Sequence, residues 1–342
     1  MFRPLTASLK LAPLALAAAV TLAAAPARAA EPVTLMVGGI NKIIYLPAKL
    51  TEQLGYFRQE GVDVKLLSEP AGVNAENEML AGAVQGVVGF YDHCIDLQAK
   101  GKQAMSVVQF AKVPGEVELV SAKDAATLKS AADFKGKSLG VTGLGSSTDF
   151  LTQAMAVRAG LKQGDYSLLP VGAGNTFIAA MQQGRINAGM TTDPTVAQML
   201  STGQAKVLFD MRTEAGSRAA VGGLYPAASL YMPADWVAAH KDEVQKIARA
   251  FVRTMKYIST HSAEDIASKM PADYYGSDKN LYISAIKASM PMFTADGRMP
   301  ATGPETVLKV LSEFKPQMKS AHIDLAKTYT TAFVDEALKT VK

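Results

Sequence analysis

Short apolar runs alternate along this chain with longer segments in which apolar residues recur at helical spacing. The runs VTLMVGG (33–39) and GVVGFYD (86–92) are typical of buried strands, and each precedes a segment that is typical of a helix. The same alternation recurs between residues 138 and 203. Because strands that alternate with helices form mostly parallel sheets with helices on their faces, the pattern predicts an α/β fold.

Two parts of this alternating region align with each other when the chain is shifted by 102 positions. Residues 66–86 then coincide with residues 168–188. The alignment indicates either an internal repeat or the glycine spacing that any two βα units share, and both interpretations predict two lobes of similar build. The coinciding pairs are Gly72 with Gly174, Met79 with Met181, Gly82 with Gly184 and Gly101 with Gly203.

Two segments connect the two regions and set the predicted lobe boundaries. Residues 116–125 leave the first region, and residues 225–237 have the pattern of a strand that returns to it. We therefore predict a first lobe of residues 30–120 and 225–342, a second lobe of residues 121–224, and two hinge crossings between them. The first lobe includes the C-terminal helices, which are predicted at residues 235–260, 263–270, 278–289, 303–317 and 322–340.

Residues 1–29 have the features of a cleaved secretory signal peptide. Arg3 and Lys10 precede an apolar, alanine-rich stretch, and the sequence ARA at 27–29 fits the small-residue cleavage pattern. No later segment approaches the roughly 18 uninterrupted apolar residues of a spanning helix. We therefore expect export to the periplasm as a free, monomeric protein.

Composition excludes several classes of function. The chain has 35 basic and 31 acidic residues, and three of the basic ones lie in the predicted leader, so we expect no nucleic-acid partner. Cys94 is the only cysteine, and the four histidines lack metal-ligand spacing, so we expect no disulfide, metal or cofactor. The motif GKSLG (136–140) resembles a nucleophile elbow but precedes a strand, so it does not indicate an enzyme.

The turn in VTGLGSSTDF (141–150) is the strongest candidate for ligand binding. Ligands of open parallel sheets bind at the carboxyl ends of the strands, where the first N–H groups of the helices favour anions. Ser146, Ser147 and Thr148 would add three hydroxyl groups there. The alternative is that one serine only caps the helix.

The corresponding turns of both lobes supply the other candidates. Tyr91 is the best residue for stacking on a ligand, and His93 is the best side-chain donor. Asp193 precedes Pro194, so it also fits the N-cap of a helix. If two of the nearby acids point inward, the ligand must offer N–H donors as well as an anionic end. The predicted ligand-binding residues are Ile40, Asn41, Tyr91, Asp92, His93, Ser146, Ser147, Thr148, Asn175, Thr192 and Asp193.

Two segments resemble the substrate-binding proteins of nitrate/sulfonate/taurine-type ABC importers. Asp133–Lys137, followed by Gly145-Ser146-Ser147, is similar to the D-[LF]-K-G-K lead-in and glycine-serine turn of these proteins. Gly55–Val64 is similar to their G-[YF]-F-x-x-x-G-[VL]-x-V pattern. The resemblance implies the two-lobed, type II periplasmic binding protein fold, with a ligand held between the lobes and delivered to a membrane permease with a cytoplasmic ATPase.

The resemblance leaves the ligand open. Sulfonate-binding relatives use a serine-rich helix start, which implies a small organic anion, a sulfonate or carboxylate. Relatives that bind the thiamine pyrimidine precursor imply a nitrogen heterocycle instead, held by acidic and aromatic residues. A dehydratase-like exported enzyme on the same fold is the alternative from another functional class.

Overall fold

A computed structural model describes residues 1, 2, 4 and 32–341 of the chain. The predicted signal peptide, residues 1–29, lies almost entirely outside the described residues. None of the helices in the described part has the length and apolar character that spanning a bilayer requires.

The first sheet has five strands, which are β1 (Val33–Val37), β2 (Val64–Ser68), β3 (Gly86–Phe90), β4 (Ala104–Gln109) and β10 (Ala228–Pro233). Their spatial order is β2-β1-β3-β10-β4. β1 pairs in parallel with β2 and β3, whereas β10 runs antiparallel to β3 and β4. The apolar run at 86–90 is buried throughout, as expected for a central strand with helices on both faces.

The second sheet repeats this arrangement, with one strand antiparallel to its two neighbours. Its spatial order is β7-β6-β8-β5-β9, and β5 is the antiparallel strand. The predicted α/β architecture, with a mostly parallel sheet in each of two lobes, is therefore confirmed. The strands are β5 (Val117–Ser121), β6 (Ser138–Val141), β7 (Ser167–Pro170), β8 (Ala188–Thr191) and β9 (Ala205–Asp210).

Helices follow the strands at equivalent places in the two lobes. Gly82 and Gly184, which coincide in the internal alignment, each follow a helix. Both glycines have a positive φ, which is 76° for Gly82 and 70° for Gly184. The repeat seen in the sequence therefore corresponds to equivalent structural positions. The helices are α1 (Leu46–Gln53), α2 (Tyr56–Gln59), α3 (Gly72–Leu80) and α4 (Asp92–Ala99) in the first lobe, and α5 (Ser147–Arg158), α6 (Asn175–Gln182), α7 (Thr195–Ser201) and α8 (Glu214–Val221) in the second.

The C-terminal segment is helical, with three differences from the sequence prediction. The helix predicted at 303–317 is divided at Lys315, whose backbone is extended. The helix predicted at 235–260 is divided at His240, whose φ and ψ of −125° and 43° are not helical. The helix predicted at 322–340 is helical only from Ala332, apart from a short 3-10 turn at 325–327. The helices are α9 (Ala234–Ala239), α10 (Lys241–Thr260), α11 (Ala263–Lys269), α12 (Lys279–Ser289), α13 (Gly303–Phe314), α14 (Pro316–Ser320) and α15 (Ala332–Thr340).

The connections between the sheets differ in detail from the predicted boundaries. β5 already belongs to the second sheet, so the first crossing precedes residue 117. Helices α12 and α13 contact α7 and α5 of the second lobe, so the C-terminal helices touch both lobes. Tyr91, Phe150 and Val307 belong to one apolar cluster, which joins the two lobes in this conformation.

Candidate functional site

A small enclosed cavity lies between the lobes, at the carboxyl ends of β3, β6 and β8. Its volume is about 10 Å³, which is about the space that one water molecule needs. We call it the inner cavity. Its lining residues are Lys42, Ile44, Tyr45, Gly72, Phe90, Glu116, Thr142, Ser146, Ser147, Thr148 and Thr192.

A second, larger space of about 680 Å³ lies beside it, and we call it the outer cleft. Of the predicted ligand-binding residues, Ile40, Asn41 and Asn175 line the outer cleft. Tyr274 and Tyr282 of the C-terminal segment line its opposite side. Lys42 lines both spaces, so it lies where the outer cleft meets the inner cavity.

The start of α5 is held against the first lobe by its hydroxyl groups. Ser146 Oγ accepts a hydrogen bond from the Val73 N–H at 3.3 Å, and Ser147 Oγ donates to Asp92 Oδ1 at 2.9 Å. Thr148 Oγ1 accepts from the Thr142 N–H at 2.9 Å within the second lobe. Ser146 is the N-cap residue, yet its side chain makes no capping hydrogen bond. The Ser146 side chain therefore does not cap α5 in this structure, contrary to the alternative interpretation of the sequence.

Asp92 is a buried carboxyl group next to the inner cavity. Its Oδ1 accepts from Ser147 and its Oδ2 accepts from the Tyr225 hydroxyl at 2.8 Å. Burial raises the pKa of Asp92, although nearby His93 and the two hydroxyl donors oppose the shift. Asp92 thus connects the first turn of α4 to the first turn of α5, across the interface between the lobes.

Glu116 reaches the inner cavity from the crossing that precedes β5. The side chain is buried, and its Oε2 has no hydrogen-bond partner within residues 32–341. Thr192 lies next to Glu116, since Val117 pairs with Thr191, and its Oγ1 is likewise without a partner in that part of the chain. Burial raises the pKa of Glu116 well above its ordinary range, and the charge of Asp92 adds to the shift. The inner cavity therefore presents unsatisfied polar atoms to whatever it holds.

Lys42 is the cation of this region. Its Nζ donates to the carbonyl oxygens of Gly38 and Pro70 at 2.7 and 3.0 Å. Burial lowers its pKa to about 8, while the charge of Glu116 opposes the shift. Lys42 is thus a buried ammonium group close to the carboxyl group of Glu116.

Asp193 ties three elements together instead of facing the inner cavity. Its Oδ2 accepts from Arg212 Nη1 and from Ser289 Oγ, both at 2.9 Å, and its Oδ1 accepts from the Ala197 N–H at 3.1 Å. The contact with the first turn of α7 agrees with the capping interpretation. The prediction that Asp193 contacts a ligand has no support from these contacts.

Tyr91 and His93 line neither the inner cavity nor the outer cleft. The Tyr91 hydroxyl contacts Thr328 Oγ1, and its ring lies edge-on to Tyr329 with 6.2 Å between centroids. His93 Nδ1 lies 2.5 Å from Glu76 Oε2, and both side chains are buried behind Gly72. The predicted stacking and donor roles of these two residues therefore require a different conformation from this one.

We expect the His93–Glu76 pair to stabilise the fold mainly on the acid side of neutrality. Burial lowers the pKa of His93, but the charge and hydrogen bond of Glu76 outweigh it, so the pKa is raised. The contribution is therefore fully present below the unfolded pKa of about 6.5 and is lost as pH rises through the folded pKa. The double variant Glu76→Gln/His93→Gln removes both charges.

Urea unfolding of the wild type and the double variant, followed across the pH range around neutrality, measures this effect. The stability advantage of the wild type should shrink as pH rises. A difference in unfolding free energy that stays constant with pH would contradict the assignment of a charged pair.

Several lining residues of the inner cavity were not predicted from the sequence. Glu116 is the most important of them, because it stands in a segment that the sequence analysis treated only as a connection. The signal was present in GEVELVS (115–121), where two acids alternate with apolar residues at strand spacing. Both Glu116 and Glu118 are buried.

Among the described residues, no group of three or more His, Cys, Asp and Glu side chains is placed to hold a metal ion.

Comparison with solved structures identifies proteins of the same fold. A protein from Bordetella bronchiseptica RB50 is 34% identical, with a TM-score of 0.87, over 90% of this chain and 97% of that one. The alkanesulfonate-binding protein SsuA from Xanthomonas axonopodis pv. citri, bound to MOPS, is 19% identical, with a TM-score of 0.71, over 89% and 100% of the two chains.

The periplasmic nitrate-binding protein NrtA from Synechocystis PCC 6803 is also similar. It is 15% identical, with a TM-score of 0.71, over 91% of this chain and 90% of that one. Comparison with curated protein sequences gives no match. These neighbours have the two-lobed fold that the sequence resemblance implied, and that part of the prediction is confirmed.

The family model described as NMT1/THI5 like matches residues 45–265, which is well over half of the chain. The matched segment begins in the first lobe, spans every strand from β2 to β10, and includes all lining residues of the inner cavity except Lys42 and Ile44. Together with the 34% identity to the Bordetella protein over nearly its full length, this match places the chain in a family. The chain belongs to the NMT1/THI5-like family.

Proposed function

We propose that this chain is the periplasmic solute-binding component of an ABC importer. It captures a small molecule between its two lobes and delivers it to a membrane permease that a cytoplasmic ATPase drives. The observation that carries the proposal is the inner cavity, which both lobes line and where Glu116 and Thr192, next to each other at the second sheet, are buried with polar atoms that lack partners in the described chain. Solute-binding neighbours such as SsuA and NrtA share the fold.

Closure of the lobes over the solute is the proposed mechanism. The hydrogen bonds from Ser147 to Asp92 and from Val73 to Ser146 join the lobes, so opening breaks them and exposes the start of α5. A solute of several heavy atoms needs more room than about 10 Å³, so it enlarges the inner cavity when it binds. The solute favours the closed form only by its greater affinity for that form.

A small organic anion, a sulfonate or a carboxylate, is the ligand we propose first. α5 is 12 residues long, and its N-terminal end meets the cavity together with the hydroxyl groups of Ser146, Ser147 and Thr148. N–H groups at a helix start and short hydroxyl side chains hold anions without a cationic side chain. Lys42 adds one positive charge close by.

A nitrogen heterocycle related to the thiamine pyrimidine precursor is the second candidate. The carboxyl groups of Asp92 and Glu116 favour it, because ionised carboxylates accept hydrogen bonds from ring N–H and amino groups. Thermal-shift screening of sulfonates, carboxylates and aminopyrimidines distinguishes the two, since a ligand that binds the folded state raises its melting temperature. Failure of all three classes to stabilise the protein would contradict solute binding at this site.

We further propose that the chain binds its solute without converting it. Native mass spectrometry of the purified protein identifies a co-purified ligand, and incubation with that compound should return it unchanged. Turnover of the compound would favour the exported, dehydratase-like enzyme instead. Reconstitution with the permease and ATPase in vesicles tests delivery, and sedimentation tests whether the protein is a monomer.

Replacing Ser146 and Ser147 together with alanine should weaken anion binding by about two to four orders of magnitude. Hydrogen bonds to a charged group contribute about 1.5–3 kcal/mol each, and the double variant removes two donors at the cavity. Isothermal titration of the ligand into both proteins measures the change. Ser167→Ala, on the exposed end of β7, is the control and should bind as the wild type does. Equal affinities in all three proteins would show that the site is elsewhere.

A further inference from the structure

Glu116 is a buried acid whose role the proposed function leaves open. Only 2% of its surface is exposed, its side chain lines the inner cavity, and its Oε2 lacks a hydrogen-bond partner in the described chain. A buried carboxyl oxygen without a partner costs folding free energy, so its presence requires an explanation. Because the side chain lines the cavity, a bound solute would be a new partner for it.

The groups that face Glu116 carry more negative than positive charge. Lys42 offers one ammonium group, whereas Asp92 and Glu116 offer two carboxyl groups. Glu118 lies two positions further along β5 and adds a third buried carboxyl group. The positive charges that act on Asp92 are those of His93 and Lys315, whereas Lys42 is the cation that acts on Glu116. The remaining titratable groups that face Glu116 are the phenols of Tyr45 and Tyr225.

Hydrogen bonds indicate which of the two acids, Asp92 or Glu116, is ionised. Asp92 accepts hydrogen bonds from the hydroxyl groups of Ser147 and Tyr225, and such donors favour the ionised form of a carboxyl group. Glu116 Oε2 accepts none. Two hydroxyl donors and the nearby charges of His93 and Lys315 favour the ionised form of Asp92, whereas only the charge of Lys42 does so for Glu116. Glu116 is therefore the carboxyl group that keeps its proton.

We propose that Glu116 is a specificity-determining residue, which enters the closed site as a neutral carboxylic acid and donates its O–H to an oxygen of a bound sulfonate or carboxylate. This inference rests on the proposed solute-binding function and deepens it. A neutral carboxyl group has one O–H donor, and the partnerless Oε2 at the cavity wall is the atom placed to carry it. The protein then binds its anion together with a proton.

Burial supports the same protonation state. It raises the pKa of Glu116 well above the ordinary range, with the charges of Asp92 and Glu118 adding and that of Lys42 opposing. A ligand that offers only N–H groups at this point would be disfavoured, because the O–H of the protonated carboxyl group would then have no acceptor. Glu116 would thus favour sulfonates and carboxylates over ligands that offer only N–H groups.

The test measures affinity as a function of pH in the full mature chain. The probes are methanesulfonate, ethanesulfonate and benzoate, which stay anionic across the range and add no titration of their own. The wild-type Kd should rise by up to tenfold per pH unit above the pKa of Glu116 in the free protein, because binding must then take up one proton from solution. Glu116→Gln keeps an N–H donor but cannot ionise, so it should bind with a much weaker dependence on pH.

Two controls make the comparison specific. Lys42, with a pKa of about 8, also titrates in the range and is affected by Glu116, so the comparison is repeated with Lys42→Met in both proteins. Glu118→Gln removes a buried acid that does not line the inner cavity; because the charge of Glu118 adds to the raised pKa of Glu116, this variant should move the pH dependence to lower pH without abolishing it. Infrared difference spectra between the wild type and Glu116→Gln report the C=O stretch of a protonated carboxyl group without any ligand.

The outcomes separate this inference from the proposed function. Anion binding with the same pH dependence in the wild type and Glu116→Gln would overturn the role of Glu116 and leave solute binding intact. Binding of 4-aminopyrimidine that strengthens as Glu116 ionises would also overturn it, since Glu116 would then be an acceptor. If no probe binds, the proposed anionic ligand class fails. The infrared band still decides the protonation state in that case, and its absence overturns the inference.

Discussion

Replacing Arg212 with alanine should lower the free energy of unfolding by about 3–5 kcal/mol, because it leaves a buried carboxylate without its cation. Asp193 is 1% exposed, and its ion pair with Arg212 at 2.9 Å is itself largely buried. Burial already raises the pKa of Asp193, against the opposing effect of Arg212. Loss of the guanidinium group would leave only Ser289 and the Ala197 N–H as partners of that carboxyl group.

Urea denaturation of the wild type, Arg212→Ala and Arg212→Ala/Asp193→Asn measures this prediction. The double variant should recover part of the loss, since it removes the unpaired charge. Arg298→Ala is the matched control, because Arg298 forms ion pairs with Asp296 and Asp335 at an exposed place and should change stability by less than about 1 kcal/mol. An Arg212→Ala variant as stable as Arg298→Ala would contradict the prediction.

Replacing Gly143 with valine should weaken ligand binding at least about a hundredfold, because it holds the lobes apart. A Cβ at this position would lie 3.0 Å from the Cβ of Ala71 and 3.3 Å from a methyl carbon of Val73, both in the first lobe. The two further methyl groups of valine have no room while the lobes are closed. The apparent affinity of a receptor falls in proportion to the fraction of molecules that can still close.

Small-angle scattering and ligand titration together check this effect. The valine variant should show a larger radius of gyration, an unchanged circular dichroism spectrum and the weakened affinity. Leu144→Ala is the control in the same turn, since Leu144 is exposed and its truncation should alter neither quantity. A Gly143→Val variant that closes and binds as the wild type does would show that the turn does not meet the first lobe during binding.

The architecture could be predicted from the sequence, but the positions at which the C-terminal helices are divided could not. Alternating strand and helix patterns predicted two sheets, because each pattern is local and repeats at a regular spacing. The break at His240 had no local signal, since no glycine or proline interrupts residues 234–260. The segment 322–331 was predicted as helix, yet three threonines between 328 and 331 favour extended backbone over helix.

The candidate site was predictable only in part, for a physical reason. Ser146–Thr148 could be found because a glycine-rich turn between a strand and a helix has a known position in this kind of sheet. Tyr91 and Glu116 could not be placed in the same way. The direction of Tyr91 depends on its contact with Thr328, and the burial of Glu116 depends on the meeting of the two lobes. Contacts between such distant parts of the chain leave no periodic signal.

The strand order of the first sheet has a consequence for the order in which the protein assembles. β10 lies between β3 and β4, and Gln109 pairs with Ser229, so β4 stays without a neighbour in its sheet until the whole second lobe has been made. The second sheet is built from one continuous stretch, Val117–Asp210. Pairing across such a long loop is entropically costly and slow. We therefore expect the later-synthesised sheet to be complete first, with the earlier one waiting for its returning strand.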